Sequence, residues 1–247
     1  MTPECTFDAG HAGGNAMGLV VLQTDETLEV ESRAIFSAAG VACYHARIPS
    51  HAQVTSETLA LMRTDLPQTA ALLPAGAGFG AIGYGCTSGA TVIGQAAVAE
   101  MINHSHPDVR VSDPITAVMA ALNALGVRRI GLLTPYVPEV TGAMQALMAK
   151  NGFEILRVAS FEQIEDRSIA RIAESSTLAA IEEIGSDPAC DAVFASCTNL
   201  RTFTILKAAE SSLGKPVVSS NQALCWHMLG LADVPRHGMG PGCLFDR

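Results

Sequence analysis

Short aliphatic runs alternate along the chain with longer windows in which apolar residues recur at every third or fourth position. The runs Leu19–Gln23, Val41–Ile48, Phe79–Tyr84, Arg129–Thr134, Ala192–Ala195 and Pro216–Val218 predict strands. The windows Thr27–Ala39, Ser56–Leu73, Ser88–Ile102, Pro114–Leu125, Val137–Asn151, Ile169–Ile184, Leu200–Ser212 and Gln222–Leu231 predict helices. Strand and helix patterns that take turns in this way imply an α/β fold, a mostly parallel sheet covered by helices on both faces. Ligands in such folds bind beyond the carboxyl ends of the strands, so chemistry is expected just after each run.

Two strand ends repeat. One reads Gly85-Cys86-Thr87-Ser88 and the other Ser196-Cys197-Thr198-Asn199, with the cysteines 111 positions apart. Leu22 and Leu133, in the strands that open each half, have the same separation of 111. The chain therefore reads as two similar lobes. A cysteine that follows a buried strand and opens a helix sits where N–H groups and the helix dipole favour a thiolate, with a pKa expected in the range of roughly 3.5–7.5. Cysteine is also among the most buried residue types, but simple packing does not explain two Cys-Thr pairs at equivalent strand ends. Thr87, Ser88, Thr198 and Asn199 are expected to hold a substrate carboxylate, a role compatible with ordinary N-capping. Asp25 and Tyr136 follow the two opening strands and are expected to rim the cleft between the lobes. Cys5, Cys43, Cys190, Cys225 and Cys243 lack the strand-end setting and are assigned to packing or to flexible ends.

Composition narrows the function. Hydrophobic residues make up 49% of the 247 residues and charged ones 16%, which excludes a disordered chain. A net charge of −9 repels phosphate backbones and anionic membrane surfaces, so neither nucleic acid nor a membrane is an expected partner. The segment Met1–Met17, with Glu4, Asp8 and His11 and no apolar core, is expected to be a flexible arm rather than a secretory signal. Seven cysteines, odd in number and without a C-x-x-C pair, are expected to be reduced thiols in a cytoplasm. Gly78-Phe-Gly80-Ala-Ile-Gly83 matches a dinucleotide-binding pattern but lies before and within a strand instead of opening a helix, and is set aside. His104 and His106 lack a third ligand at a familiar spacing. No metal, flavin, nicotinamide or pyridoxal phosphate is expected.

The segments Gly83-Tyr-Gly-Cys-Thr-Ser-Gly89, Ser196-Cys-Thr-Asn-Leu-Arg-Thr202 and Lys215-Pro-Val-Val-Ser-Ser-Asn-Gln222 resemble the aspartate/glutamate racemase superfamily, closest to its maleate cis-trans isomerase and ectoine-utilisation branch. The tail Gly238-Met-Gly-Pro-Gly-Cys-Leu-Phe-Asp246 is similar to the end of arylmalonate decarboxylases. The resemblance covers almost the whole chain and implies two flavodoxin-like lobes with parallel sheets, related by a pseudo-twofold axis, with one cysteine from each flanking the substrate. The expected division is an arm over 1–17, a first lobe over 18–118 plus 219–247, and a second over 119–218. A homodimer is expected on the same ground. Family decarboxylases have Gly in place of Cys86, so the cysteine pair implies an isomerase or racemase. The family's maleate isomerases carry Asn where this chain has Asp25, and a carboxylate there suits an ammonium group better than a second substrate carboxylate. The expected function is a cofactor-independent racemase or isomerase acting on an amino-acid-like carboxylate, as would fit ectoine breakdown. Maleate isomerisation is the alternative; arylmalonate-type decarboxylation and non-catalytic binding of a small anion are lesser ones.

Overall fold

The structure, a computed structural model, describes residues 1–8, 10, 13 and 15–247. Part of the expected arm, at positions 9, 11, 12 and 14, lies outside the described residues. In chain order the elements are β1 (Ala16–Leu22), α1 (Leu28–Ala38), β2 (Ala42–Ile48), α2 (Ser56–Ala70), β3 (Phe79–Gly85), α3 (Thr87–Ile93), α4 (Gln95–Asn103), β4 (Arg110–Ser112) and α5 (Pro114–Leu125). The second half continues with β5 (Arg129–Thr134), α6 (Pro138–Lys150), β6 (Glu154–Ser160), α7 (Asp166–Ala170), α8 (Glu174–Gly185), β7 (Ala192–Ala195), α9 (Phe203–Leu213), β8 (Val217–Ser219) and α10 (Ser220–Leu231), followed by a 3-10 turn at Cys243–Asp246.

Two four-stranded sheets result, ordered β2-β1-β3-β4 and β6-β5-β7-β8, with every neighbouring pair parallel. The shared order is the repeat in three dimensions. The sheets differ in one detail: Gly83 and Phe194, 111 apart, pair with Leu19 and Leu132, which are 113 apart. The opening strand of the second lobe is thus displaced by two residues, a step that keeps the same side chains facing inward.

Edge strands account for most of what the pattern missed. β4 and β6 each pair on one side, and the half-exposed β6 mixes Glu154 and Arg157 with its aliphatics, which hides it from a search for buried runs. β1 starts three residues before its expected beginning, since Ala16 and Met17 are fully buried between β2 and β3 rather than part of an arm. The expected helix over 88–102 is broken at Gly94, whose φ of +89° stops α3 and lets α4 start in a new direction. The window over 169–184 is likewise two helices, α7 and α8.

The expected lobe boundary at 118/119 falls inside α5. That helix packs on α10, α3, β8 and β3, and α10 returns from the end of the second sheet to cover β3, β4 and α1. One buried cluster accordingly runs through both lobes, joining Leu19, Ile82 and Met228 to Leu132, Tyr136 and Phe194. No helix among the described residues is long and apolar enough to cross a membrane.

Candidate active site

β3 delivers Cys86 to the N-cap of α3 in ordinary extended backbone, φ −147° and ψ 111°. Its Sγ accepts the Gly89 N–H at 3.2 Å and lies 3.7 Å from Ser88 Oγ. Gly89 is required by this contact: a Cβ there would stand 2.9 Å from the sulfur and 2.6 Å from the Tyr84 hydroxyl.

β7 delivers Cys197 differently. The expected helix start at Leu200 is not formed, because residues 198–200 make a turn and α9 begins at Phe203. The first N–H groups of α9 are met from the other lobe by Glu31, whose Oε1 accepts from Thr202 and Phe203 at 2.8 and 2.9 Å. Cys197 itself has φ +118°, a region that disfavours any residue with a Cβ. Its neighbours hold it there. The Cys197 N–H donates to Ser220 Oγ (3.0 Å), the Asn199 N–H donates to Cys197 Sγ (3.4 Å), and Thr198 Oγ1 reaches the Gly85 carbonyl at the end of β3 (3.3 Å). Ser220 also accepts from Thr87 Oγ1 at 2.9 Å, so one hydroxyl ties the two cysteine loops together.

Both strand ends open on one enclosed cavity of about 20 Å³, room for about one water molecule. Cys86, Cys197, Thr87, Ser88, Asp25, Tyr136 and Thr198 all line it, together with Leu22, Val54, Leu59 and Asp166. Asp25 caps α1, accepting from the Thr27 and Leu28 N–H groups at 2.8 Å each through Oδ1. Its Oδ2 is buried without a well-formed hydrogen bond, although the Thr198 hydroxyl, 3.3 Å from the Gly85 carbonyl, also lies beside this carboxylate. Tyr136 is buried with its hydroxyl close to Cys197, Cys86 and Ser88. Asn199, expected to contact substrate, stands behind this wall: its side chain accepts from the Glu26 N–H (2.9 Å) and donates to the Asp166 carbonyl (3.1 Å). An amide committed to both lobes in this way acts as a clamp.

Asp166 escaped the sequence reading. It sits at the start of α7, and its segment pairs with the loop after β2: Val54 N–H donates to the Ile164 carbonyl (2.8 Å) and Asp166 N–H to the Ala52 carbonyl (3.1 Å). These two segments bring Val54 and Asp166 onto the cavity wall. The Thr24 hydroxyl donates to Asp166 Oδ2 at 2.5 Å.

The expected low cysteine pKa values are overturned. Burial pushes the Cys86 thiol up to about 12, against the smaller opposing effects of the Gly89 N–H and Ser88, and Asp166 and Asp25 push it further. Burial and then Asp166 drive Cys197 still higher, with Tyr136 and the Asn199 N–H acting in the opposite direction. A buried sulfur beside two carboxylates keeps its proton, whatever helix it caps. The acids respond alike: burial raises Asp25 to about 6, and it raises Asp166 as well.

Residues 26–245 match the arylmalonate decarboxylase family. The chain belongs to that family. Two characterised proteins are similar to it. It is 26% identical to a maleate isomerase of Nocardia farcinica over 94% of its own length and 96% of that protein's. It is 33% identical to the arylmalonate decarboxylase of Bordetella bronchiseptica over 53% of this chain and 55% of that one. Among solved structures, the Nocardia farcinica maleate cis-trans isomerase, in a Cys-to-Ser variant with a covalently bound succinylcysteine intermediate, superposes with a TM-score of 0.85 at 25% identity, covering 94% of this chain and 98% of that one. The fold of this decarboxylase-family chain is the two-lobed α/β fold of the aspartate/glutamate racemase superfamily.

Proposed function

We propose that this protein is a cofactor-independent isomerase, a racemase or cis-trans isomerase, that works on a small carboxylate with Cys86 and Cys197. The observation that carries the reading is the convergence of one cysteine from each lobe on a single enclosed cavity. In racemisation one cysteine, as thiolate, takes the α-proton and the opposite thiol returns a proton to the other face of the carbanion. In cis-trans isomerisation one thiolate adds to a carbon of the double bond, the electron pair moves to the neighbouring carbon, the new single bond turns, and expulsion of the thiolate restores the double bond. Either route needs one sulfur ionised and the other protonated. In this reading Thr87, Ser88 and Thr198, which line the cavity, hold the substrate carboxylate, with Tyr136 contacting the substrate beside them.

An amino-acid-like substrate, as would fit ectoine breakdown in a cytoplasm, is the favoured form because Asp25 lines the cavity. Maleate isomerisation is the second reading, favoured by the Nocardia farcinica relative and its cysteine adduct. The presence of Cys86 speaks against decarboxylation of a disubstituted malonate, for which release of carbon dioxide from phenylmalonate is the assay. A non-catalytic anion binder would need neither sulfur. Cys86→Ser and Cys197→Ser are assayed with maleate and with a panel of amino acids, following double-bond isomerisation and exchange of the α-hydrogen with deuterium. Each substitution is expected to lower turnover by at least about 10³-fold. Wild-type turnover in either variant overturns the proposal.

A further inference from the structure

The cavity wall holds two carboxylates and no countercharge. Asp25 is 2% exposed, with Oδ1 taken by two backbone N–H groups and Oδ2 without a well-formed hydrogen bond, the neutral Thr198 hydroxyl being the one side-chain donor beside the carboxylate. Asp166, 5% exposed, lies on the same wall and receives one donor at Oδ2, the Thr24 hydroxyl. Among the described residues, none of those lining the cavity is a Lys, Arg or His. Of the cations around it, Arg167, next to Asp166 in the chain, is exposed and does not line the cavity, and two others are paired with acids. Arg47 pairs with Glu29 at 2.9 Å and donates to the Leu22, Gln23 and Asp25 carbonyls, while Arg171 pairs with Glu26 at 2.7 Å. Two buried acids without a cation are costly, and an unfilled acceptor beside them marks where a donor is missing.

Resting on the two-cysteine reading above, we propose that Asp25 and Asp166 together form the receptor for a protonated amine of the substrate, which makes that substrate a small zwitterionic amino acid. An ammonium group has three N–H donors and one positive charge: it fills Asp25 Oδ2, bridges to Asp166, and offsets both carboxylates. A ureido or amide nitrogen supplies the hydrogen bond but leaves the charges uncompensated, and an unsaturated diacid adds further negative charge. The same ammonium stands beside two thiols that otherwise face negative groups alone, so the charge that favours a thiolate arrives with the substrate.

The test is calorimetric binding of 2,4-diaminobutyrate, aspartate, N-carbamoylaspartate and maleate to the wild type and to Asp25→Asn and Asp166→Asn, with turnover of the same compounds followed in parallel. Asparagine keeps the shape and the acceptor oxygen, and circular dichroism with a melting curve establishes that each variant is folded. At least one of the two free amino acids is expected to bind about tenfold or more tightly than its neutral-nitrogen and diacid competitors, the range of a charge-assisted hydrogen bond. Each Asn variant is expected to erase that preference, and Asp166→Asn to improve maleate. Wild-type binding of maleate or the carbamoyl compound as tight as that of the amino acids overturns the proposal. So does an unchanged preference in folded Asn variants, or no binding of either amino acid. Turnover of maleate that depends on both cysteines, with Asn variants unaltered, removes the amine receptor and leaves the two-cysteine reading standing. An amine preference that the Asn variants erase, with turnover indifferent to Cys86→Ser, does the reverse.

Discussion

The two strand ends began as a repeat and are built unlike each other. At the end of β3, Cys86 sits in relaxed extended backbone, caps its own helix and draws on local N–H groups. At the end of β7, Cys197 is held at φ +118°, no helix follows at once, and its support comes largely from elsewhere: Ser220, Gly85 through Thr198, and the Asn199 clamp. Their opening strands differ in the same sense. Three residues beyond the first comes a carboxylate, Asp25, and two residues beyond the second, which is displaced by two residues in register, comes a tyrosine. Equal sequence spacing thus yields two sulfurs on one cavity with unequal surroundings. The proposed reaction, with one sulfur ionised and the other protonated, needs such a difference, since identical sites would ionise alike.

Thiol labelling gives the largest effect with which to break this comparison. With Cys86 pushed up to about 12, its thiolate fraction near pH 7 is about 10⁻⁵, more than 10³ times below that of an ordinary thiol. Iodoacetamide is therefore expected to modify exposed Cys5 first, Cys86 far more slowly with a rate still rising at high pH, and Cys197 last. Fast neutral labelling of either cavity cysteine in the ligand-free protein, located by peptide mass spectrometry, would show that burial does not hold that thiol in its protonated form.

The next effect is on stability. Asp25 keeps its proton up to a pKa of about 6 in the folded protein, against 3.8 as its ordinary value. The folded state then binds more protons than the unfolded state in that window, so the contribution is present below about pH 4 and lost as pH rises to about 6. Its size is on the order of 3 kcal/mol. Glu31, raised by burial to about 7, extends the loss in the same direction. Asp25→Asn is expected to be more stable than the wild type at pH 7 and to flatten this fall in denaturant titrations at pH 4, 6 and 7. A tyrosine makes no such contribution at those pH values, so Tyr136→Phe is the comparison and should leave the pH dependence in place.

The smallest effect isolates the strained backbone. Cys197→Gly is expected to exceed Cys197→Ala in stability by about 1 kcal/mol, because glycine alone relaxes at positive φ. At Cys86 the order should reverse, since its φ is ordinary. Equal melting temperatures for the two Cys197 variants would remove strain from the account.

Much of the site was legible because its signals are local. A small-residue strand ending in Cys-Thr occurs twice, and Asp25 comes three residues after an aliphatic run; all of these reach the cavity. Asp166 carried no such signal. It lies within Glu165-Asp166-Arg167, which reads as an exposed charged stretch, and it becomes a wall residue when its segment pairs with 52–54 of the other lobe. The role of Asn199 was misread for the same reason: a polar residue beside a cysteine looks like a ligand contact until Glu26 and Asp166 are seen to occupy its amide.

The sequence by itself determined the order of strands and helices, the doubling of the lobe and the identity of the paired cysteines. Those follow from hydrophobic periodicity and short motifs, which are properties of neighbours along the chain. Tertiary structure decided the protonation of the sulfurs, the strain at Cys197, the register displacement between lobes and the second carboxylate. Each of these depends on which distant groups exclude water from the same small volume, and burial, unlike periodicity, is set by the whole chain closing on itself.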